Sequence, residues 1–78
     1  SGKTRFTLEI EDKIGTIANI TKIFAENNIN IDSIITCKQN SGKYELVVRL
    51  DDRDNGCDDI KQELESNGYK VIHIVKIG

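Results

Sequence analysis

The stretch from Asp12 to Ile17 contains residues whose types and spacing suit the binding of a charged small molecule. It reads DKIGTI and directly precedes a segment whose apolar residues recur at helical spacing. Backbone N–H groups in the first turn of a helix have no partner within the helix, so we predict that the amides of Gly15, Thr16 and Ile17 hold a carboxylate. Asp12 would accept a hydrogen bond from an ammonium group, and Gly15 would let the ligand approach closely.

The same residues have structural explanations, which the sequence leaves open. Aspartate is common in turns and at helix N-termini, where its side chain bonds nearby amides, and this could be the whole role of Asp12. Gly15 could be required only because the turn needs a positive φ angle.

The remaining polar residues form no pattern typical of a metal, cofactor or catalytic site. Cys37 and Cys57 lie twenty positions apart without a CxxC motif, and His73 has no carboxylate or thiol at motif spacing. The acidic segment 51–54 lacks the twelve-residue loop and closing glutamate of a calcium site. We therefore expect no metal, no cofactor and no enzymatic activity, and reduced thiols in a cytoplasmic chain.

The elements that would position the turn follow from the apolar periodicity. Phe6, Leu8 and Ile10 alternate with polar residues, which predicts a strand with one buried face. The helix after the turn is predicted to stop at 27–28, because asparagine tolerates the left-handed conformation that often ends helices. Its inner side is expected to carry Ile17, Ile20, Ile23 and Phe24, with Ala18 and Ala25 alongside.

A hairpin is predicted next. Residues 29–37 read as a second strand, with Ile29, Ile31, Ser33, Ile35 and Cys37 in one alternating set. The polar segment 39–42 is a strong turn signal that leads into a third strand. Its inward residues are expected to be Tyr44, Leu46, Val48 and Leu50.

The last third of the chain repeats the layout of the first. Residues 51–56 are predicted to form a surface loop before a helix with Ile60 and Leu64 on its inner side. Residues 67–68 would close that helix, and residues 69–77 would form the last strand.

This order of elements predicts an α+β fold, the ferredoxin-like βαββαβ sandwich, with a four-stranded antiparallel sheet and two helices on one face. The other face would be uncovered. Val47 lies there between Glu45 and Arg49, and the fourth strand has apolar residues in both registers. A strand that is apolar on both sides usually meets protein on both sides, so we expect a homodimer or higher homo-oligomer. Tolerated exposed aliphatic residues are the alternative.

Composition excludes two classes of partner. The net charge of the 78 residues is -2, with acids and bases interspersed, so no basic stripe suited to nucleic acid is present. The longest apolar stretch, 71–77, is far shorter than the ~20 residues of a membrane helix, and we expect no membrane association.

Three motifs resemble the ACT-domain family. Residues 12–18, DKIGTIA, are similar to the D-x-P-G-x-L-A turn of that family, with Ile14 in place of the usual proline. Residues 28–31, NINI, resemble the start of its second strand, and Leu64 with GYKV at 68–71 resembles its closing motif. The three motifs occur at the family's spacing and cover nearly the whole chain.

This resemblance implies a non-catalytic regulatory module that binds an amino acid or similar small metabolite between two copies and controls a linked domain. Asn30 would then face the ligand from the neighbouring copy, where its side chain offers both a donor and an acceptor. A solvent-facing Asn30 and a helix-capping Asn28 are the structural alternatives. The implied ligand-binding residues are Asp12, Ile14, Gly15, Thr16, Ile17 and Asn30.

A second resemblance concerns the parent protein. Residues 5–8, 45–50 and 68–71 are similar to the C-terminal ACT module of bacterial CBS-ACT proteins of the acetoin utilisation type. Ser1 and Gly2, without a methionine, resemble a cleavage remnant. We therefore expect a single domain over residues 3–78, taken from a longer protein.

Rival functions on the same fold fit the sequence less well. A small hydrolase would need converging acid, base or nucleophile groups, and a metal carrier would need a CxxC motif in the first loop. An RNA-binding module would need aromatic residues on the free face, whereas Phe6 and Tyr44 belong to the inward sets. A dimerisation module that binds no ligand is the alternative that the sequence does not separate from a sensor.

Overall fold

The computed structural model describes residues 2–11, 14–52 and 57–77 of the 78-residue chain. Within these ranges the elements follow the predicted order. They are β1 (Gly2–Ile10), α1 (Thr16–Glu26), β2 (Ile31–Lys38), β3 (Tyr44–Asp52), α2 (Cys57–Ser66) and β4 (Lys70–Ile77).

The four strands form one antiparallel sheet in the order β2-β3-β1-β4. β1 pairs with β3 along its whole length, from Gly2 opposite Asp52 to Ile10 opposite Tyr44. β4 pairs with the other side of β1, and β2 pairs with β3. The βαβ crossovers place both helices on one face, so the predicted ferredoxin-like α+β fold is confirmed.

The core lies between the helices and one face of the sheet. Alternate residues of β1 and β3 are buried there, because successive side chains of a strand point to opposite faces. The rings of Phe6 on β1 and Phe24 on α1 meet edge to face, with centroids 5.5 Å apart. The buried apolar residues are Phe6, Leu8, Ile10, Ile20, Ile23, Phe24, Leu46, Val48, Leu50, Ile60 and Leu64.

Two edge strands depart from simple alternation. In β2 the register shifts between Ile31, opposite Leu50, and Ser33, opposite Arg49, so Asp32 is an extra residue. The predicted alternating set of β2 is therefore wrong as a single face. Ile29 and Ile31 pack against the core with Ile34, whereas Ser33, Ile35 and Cys37 lie opposite residues of the uncovered face.

A similar shift explains the apolar residues of β4. Thr7 lies opposite His73 and Leu8 opposite Val71, which leaves Ile72 as an extra residue. Val71 packs against the core although it is three positions from Ile74, which does so too. Part of the double apolar pattern of β4 therefore reflects a bulge, not two buried faces.

The helix and loop predictions need smaller corrections. Ile17 is exposed, and so are Ala18 and Ala25, because only Ile20, Ile23 and Phe24 of α1 reach the core. The helix end is as predicted, since Asn28 has a positive φ of 59°. Asp51 and Asp52 extend β3 instead of forming a loop, and residues 53–56 lie outside the described ranges.

Candidate functional site

The turn that leads into α1 exposes the backbone amides at the start of the helix. α1 begins at Thr16, and Gly15 occupies the N-cap position with φ 91° and ψ -12°. The Gly15 carbonyl accepts the first helical hydrogen bond, from the Asn19 amide at 2.9 Å. No side chain of the described residues caps this end. The amides of Thr16 and Ile17 therefore belong to the group that a helix cannot satisfy itself, as the anion-site prediction requires.

The backbone conformation of the turn explains why residue 15 is a glycine. Its φ lies in the left-handed region, which L-residues with side chains rarely adopt. A Cβ at this position would meet no other atom of the chain within 4 Å. The conformational alternative for Gly15 is therefore supported, and whether the glycine also admits a ligand stays a prediction.

The exposed apolar side chains of the turn suit contact with another molecule. Ile14, in the position of the family's proline, is fully exposed, and Ile17 is 40% exposed. Thr16 is half-buried between them. Asp12 lies outside the described residues, so its predicted role stays a prediction.

A cleft of about 320 Å³ adjoins the turn at this end of the sheet. It lies where β1 ends, β4 begins and the β2–β3 hairpin turns back. Its lining carries both signs of charge, since Glu9 lies 3.5 Å from the Lys43 Nζ and 3.9 Å from the Lys70 Nζ. The lining residues are Glu9, Ile10, Glu11, Thr16, Lys43, Gly68, Tyr69 and Lys70.

A hydrogen bond connects the rim of this cleft to the helix. The Asn19 Nδ2 of α1 donates to the Tyr69 hydroxyl oxygen at 2.5 Å. Tyr69 precedes β4, follows Gly68 with its φ of 88°, and also packs against the core. The bond therefore ties the first turn of α1 to the segment between α2 and β4.

Asn30 lies at the opposite end of the sheet from Gly15. β1 and β2 run parallel, because each is antiparallel to β3, so the residue before β2 lies near the start of β1. Asn30 is exposed and lines a cleft of about 500 Å³ with Thr21, Ala25, Asn28, Ile29 and Ile31. One chain therefore does not bring Asn30 to the Gly15 turn, and the two parts of the predicted site lie at opposite ends of β1.

Sequence reasoning missed the charged residues that border the turn. Glu9 and Lys70 face each other across β1 and β4, and Lys43 immediately precedes the residue opposite Ile10. Their neighbourhood follows from the strand order together with the register, and the register of β4 is shifted by its bulge. The strand order alone would have been enough to place Lys43 and Tyr69 at this end.

Comparison with known proteins identifies the family. The model of the TTHA0829-like ACT domain matches residues 2–75. This chain belongs to the ACT-domain family. ACT domains are regulatory, and the resemblance in the three motifs is confirmed, whereas the CBS-ACT assignment stays a prediction.

Solved structures agree in fold. An ACT domain protein from Streptococcus pneumoniae is 20% identical with a TM-score of 0.74, over 97% of this chain and 90% of that one. The small subunit of acetolactate synthase from Thermotoga maritima is 19% identical with a TM-score of 0.74, over 95% and 46%. The regulatory subunit of aspartate kinase from Thermus thermophilus is 16% identical with a TM-score of 0.67, over 96% and 49%.

The chain is short beside most of these structures. It spans less than half the length of the acetolactate synthase and aspartate kinase subunits, and 28% of a formyltetrahydrofolate deformylase from Burkholderia mallei. No curated protein gave a significant match. Neither helix of the described residues is long and apolar enough to cross a membrane.

Proposed function

We propose that this ACT domain binds an amino acid or similar small metabolite at an interface between two copies and thereby controls a linked domain. The observation that carries the proposal is that α1 of this ACT domain begins at a glycine N-cap and that no side chain of the described residues caps its first turn. The ligand carboxylate would accept hydrogen bonds from the amides of Gly15, Thr16 and Ile17. Asp12 would accept a hydrogen bond from the ligand ammonium group, and the exposed Ile14 would contact its side chain.

The charged side chains of the cleft beside the Gly15 turn support a zwitterionic ligand. The adjoining cleft carries both carboxylates and ammonium groups, so it has groups that complement each charge of an amino acid. Glu9 already contacts Lys43 and Lys70, at distances of 3.5 and 3.9 Å. Because both contacts are long and both lysines are exposed, these pairs contribute little stability and can rearrange around a ligand at small cost.

The strand directions support a site shared by two copies. β2 is an edge strand, and α1 lines the same cleft as the residues before β2. A two-fold axis that pairs two β2 edges antiparallel reverses the direction of every strand. Asn30 of one copy then lies at the same end as the Gly15 turn of the other, which is what a shared site requires.

The name of one similar structure agrees with a regulatory role, since the aspartate kinase protein is a regulatory subunit. For this chain, control of a linked domain is our proposal. We also infer that the parent is a CBS-ACT protein, on the motifs at 5–8, 45–50 and 68–71.

The alternative is a dimerisation module that binds no ligand. The replacement of the family's proline by Ile14 favours this alternative, because a proline there would restrict the turn. It shares the fold and the association of two copies with the sensor. It differs only in whether the turn is occupied.

A thermal-shift screen separates the two. The purified chain is heated with each of the twenty amino acids, adenine nucleotides and short-chain acids. A ligand at a hundredfold excess over its dissociation constant stabilises the folded state by ~2.7 kcal/mol, which for a domain of this size corresponds to a shift of roughly 10–20 °C.

Variants give the screen its controls. A shift with one class of amino acid that disappears in Asp12→Ala and in Asn30→Ala supports the sensor. Lys61→Ala, on the exposed side of α2, is the matched control and keeps the shift. A chain that sediments as a dimer and shifts with no compound is a dimerisation module.

A further inference from the structure

The uncovered face of the sheet carries its charges in like-signed pairs. On β1 and β3 the residues that point away from the core face each other across the strands, with Arg5 opposite Arg49 and Glu9 opposite Glu45. We call the first pair the arginine row and the second the glutamate row. Like charges directly opposite each other destabilise a sheet, so this pattern costs the isolated chain stability.

A row of uncharged residues separates the two charged rows. Thr7 lies opposite both Val47 and His73, and Ile35 lies opposite Val47, which places one residue of each strand on the same line. We call this line the central row. Ile35 is 51% exposed, whereas Thr7 is only 3% exposed.

Neither residue of the arginine row has a close counter-charge among the described residues, since Asp32, which lines the same cleft, already pairs with Lys3. The structure gives neither arginine an ion pair or side-chain hydrogen bond with any described residue. The glutamate row is only partly compensated, by the two long contacts of Glu9 with lysines and a 3.0 Å hydrogen bond from Gln39 Nε2 to Glu45. The arginine row therefore lacks acidic partners that the glutamate row of another copy could supply, and the glutamate row lacks basic partners that the arginine row could supply.

We propose that two copies of this chain pack with their uncovered sheet faces together, around a two-fold axis that runs along the central row. This rotation keeps each residue on its own strand line and exchanges the two sides of the row. Arg5 then faces Glu9 of the second copy, and Arg49 faces its Glu45. Each residue of the central row faces its own counterpart.

The charges also exclude the competing arrangement. An axis parallel to the strands, between β1 and β3, would keep each row on its own side. It would place Arg5 against Arg49 of the second copy and Glu9 against its Glu45, and so bring like charges together again. Only the axis along the central row makes the face complementary to itself.

The size of the face sets the expected strength. Four strands about 4.8 Å apart, paired over about eight residues of 3.3 Å, give a face of about 500 Å² for each copy. The two copies together would bury about 1,000 Å², at the lower limit of specific interfaces. We therefore expect weak association that salt reverses, separate from the pairing through β2.

Charge exchange tests the proposal directly. The variant Arg5→Glu/Arg49→Glu has an acidic face, and the variant Glu9→Lys/Glu45→Lys has a basic one. Sedimentation is measured from 10 µM to 1 mM for each alone and for an equal mixture. For the wild type we expect a concentration-dependent step in mass beyond that of the β2-paired dimer, and we expect each variant alone to lose this step. The mixture should regain it, and 500 mM NaCl should weaken the association by about tenfold or more.

Controls keep the result interpretable. Lys22→Glu/Lys61→Glu reverses two exposed charges on the helix side and should behave as the wild type. If a double variant does not fold, the single variants Arg49→Glu and Glu45→Lys repeat the test with half the charge change. A chain with Val47→Cys, Cys37→Ser and Cys57→Ser should give a dimer with a short bismaleimide, because Val47 faces its counterpart.

Two outcomes would overturn the proposal. One is a mixture whose mass equals the average of its two separate components. The other is a wild type of constant mass over the whole range, with Arg5 and Arg49 responding to inorganic phosphate in NMR spectra; the arginine row would then be an anion site. Ligand binding at the Gly15 turn is measured separately and stands or falls independently.

Discussion

The two ends of the sheet differ in what they offer a ligand, although α1 flanks both. The turn end has the amides after Gly15, which no described side chain caps, and a cleft with Glu9, Lys43 and Lys70. The other end has the neutral amide of Asn30 beside apolar and small side chains of α1 and β2. The charged cleft at the turn suits the carboxylate and ammonium groups of an amino acid, and the uncharged cleft at Asn30 suits supplementary hydrogen bonds. The proposed site would therefore be complete only when a second copy brings the two clefts together.

The largest expected effect comes from variants that disable one end each. Asp12→Ala and Asn30→Ala should each weaken binding roughly 10- to 100-fold, because hydrogen bonds to charged groups contribute about 1.5–3 kcal/mol. An equal mixture should regain binding at about a quarter of the sites, since half of the random dimers are mixed and each has one intact site. Isothermal titration with the amino acid found in the screen measures the number of sites. A mixture with no strong sites would show that one chain supplies the whole site.

The second effect concerns the conformation of the turn. Gly15→Ala should destabilise the fold by about 1–2 kcal/mol, the cost of a left-handed residue with a side chain. Gly42→Ala is the matched control, because Gly42 has a φ of 88° against 91° for Gly15, and a Cβ meets nothing within 4 Å at either position. Urea unfolding should show similar losses in the free energy of unfolding for both variants, whereas only Gly15→Ala should weaken ligand binding. Equal ligand affinity in both variants would remove the turn from the site.

The sequence predicted the elements of the fold but not the irregularities of its edge strands. The periodicity of Phe6, Leu8 and Ile10 and the Gly42 turn predicted the elements, because burial on one face leaves a direct trace in the sequence. The bulges at Asp32 and Ile72 were not predictable, since a one-residue shift depends on the partner strand as well.

The candidate site was less predictable than the fold. The helix N-terminus at Gly15 followed from local sequence, because capping is decided within a few residues. The cleft residues Glu9, Lys43 and Lys70 come from three different strands or loops, so their proximity depends on tertiary structure. The separation of Asn30 from the turn follows from the parallel course of β1 and β2, which is a property of the whole sheet.

The third effect is the link between α1 and the segment before β4. Tyr69→Phe removes the hydrogen bond that the hydroxyl receives from Asn19 and should cost about 0.5–1.5 kcal/mol. Tyr44→Phe is the control, because the structure gives its hydroxyl no partner among the described residues, and it should change stability by a few tenths of a kcal/mol at most. Thermal unfolding measures both. Equal losses would mean that the Asn19 contact contributes nothing.

The smallest effect is expected at the opposite end. Asp32→Asn removes the ion pair of Asp32 with Lys3, whose atoms lie 2.6 Å apart with side chains that are 40% and 54% exposed. A pair this exposed is worth about 0.2–1 kcal/mol and is screened by salt. Urea unfolding at 50 and 500 mM NaCl should show a small loss that salt reduces, with unchanged ligand affinity. A large loss of affinity would place Asp32 in the site.

An NMR titration of the ¹⁵N-labelled chain tests the shared site most directly. The amino acid found in the screen is added while the backbone amides are followed. We expect the amide signals of Gly15, Thr16 and Ile17 to shift together with that of Asn30, along one binding curve, although these residues lie at opposite ends of the sheet in each copy. Shifts confined to the turn end, or no shifts at ligand concentrations that stabilise the fold, would contradict the shared site.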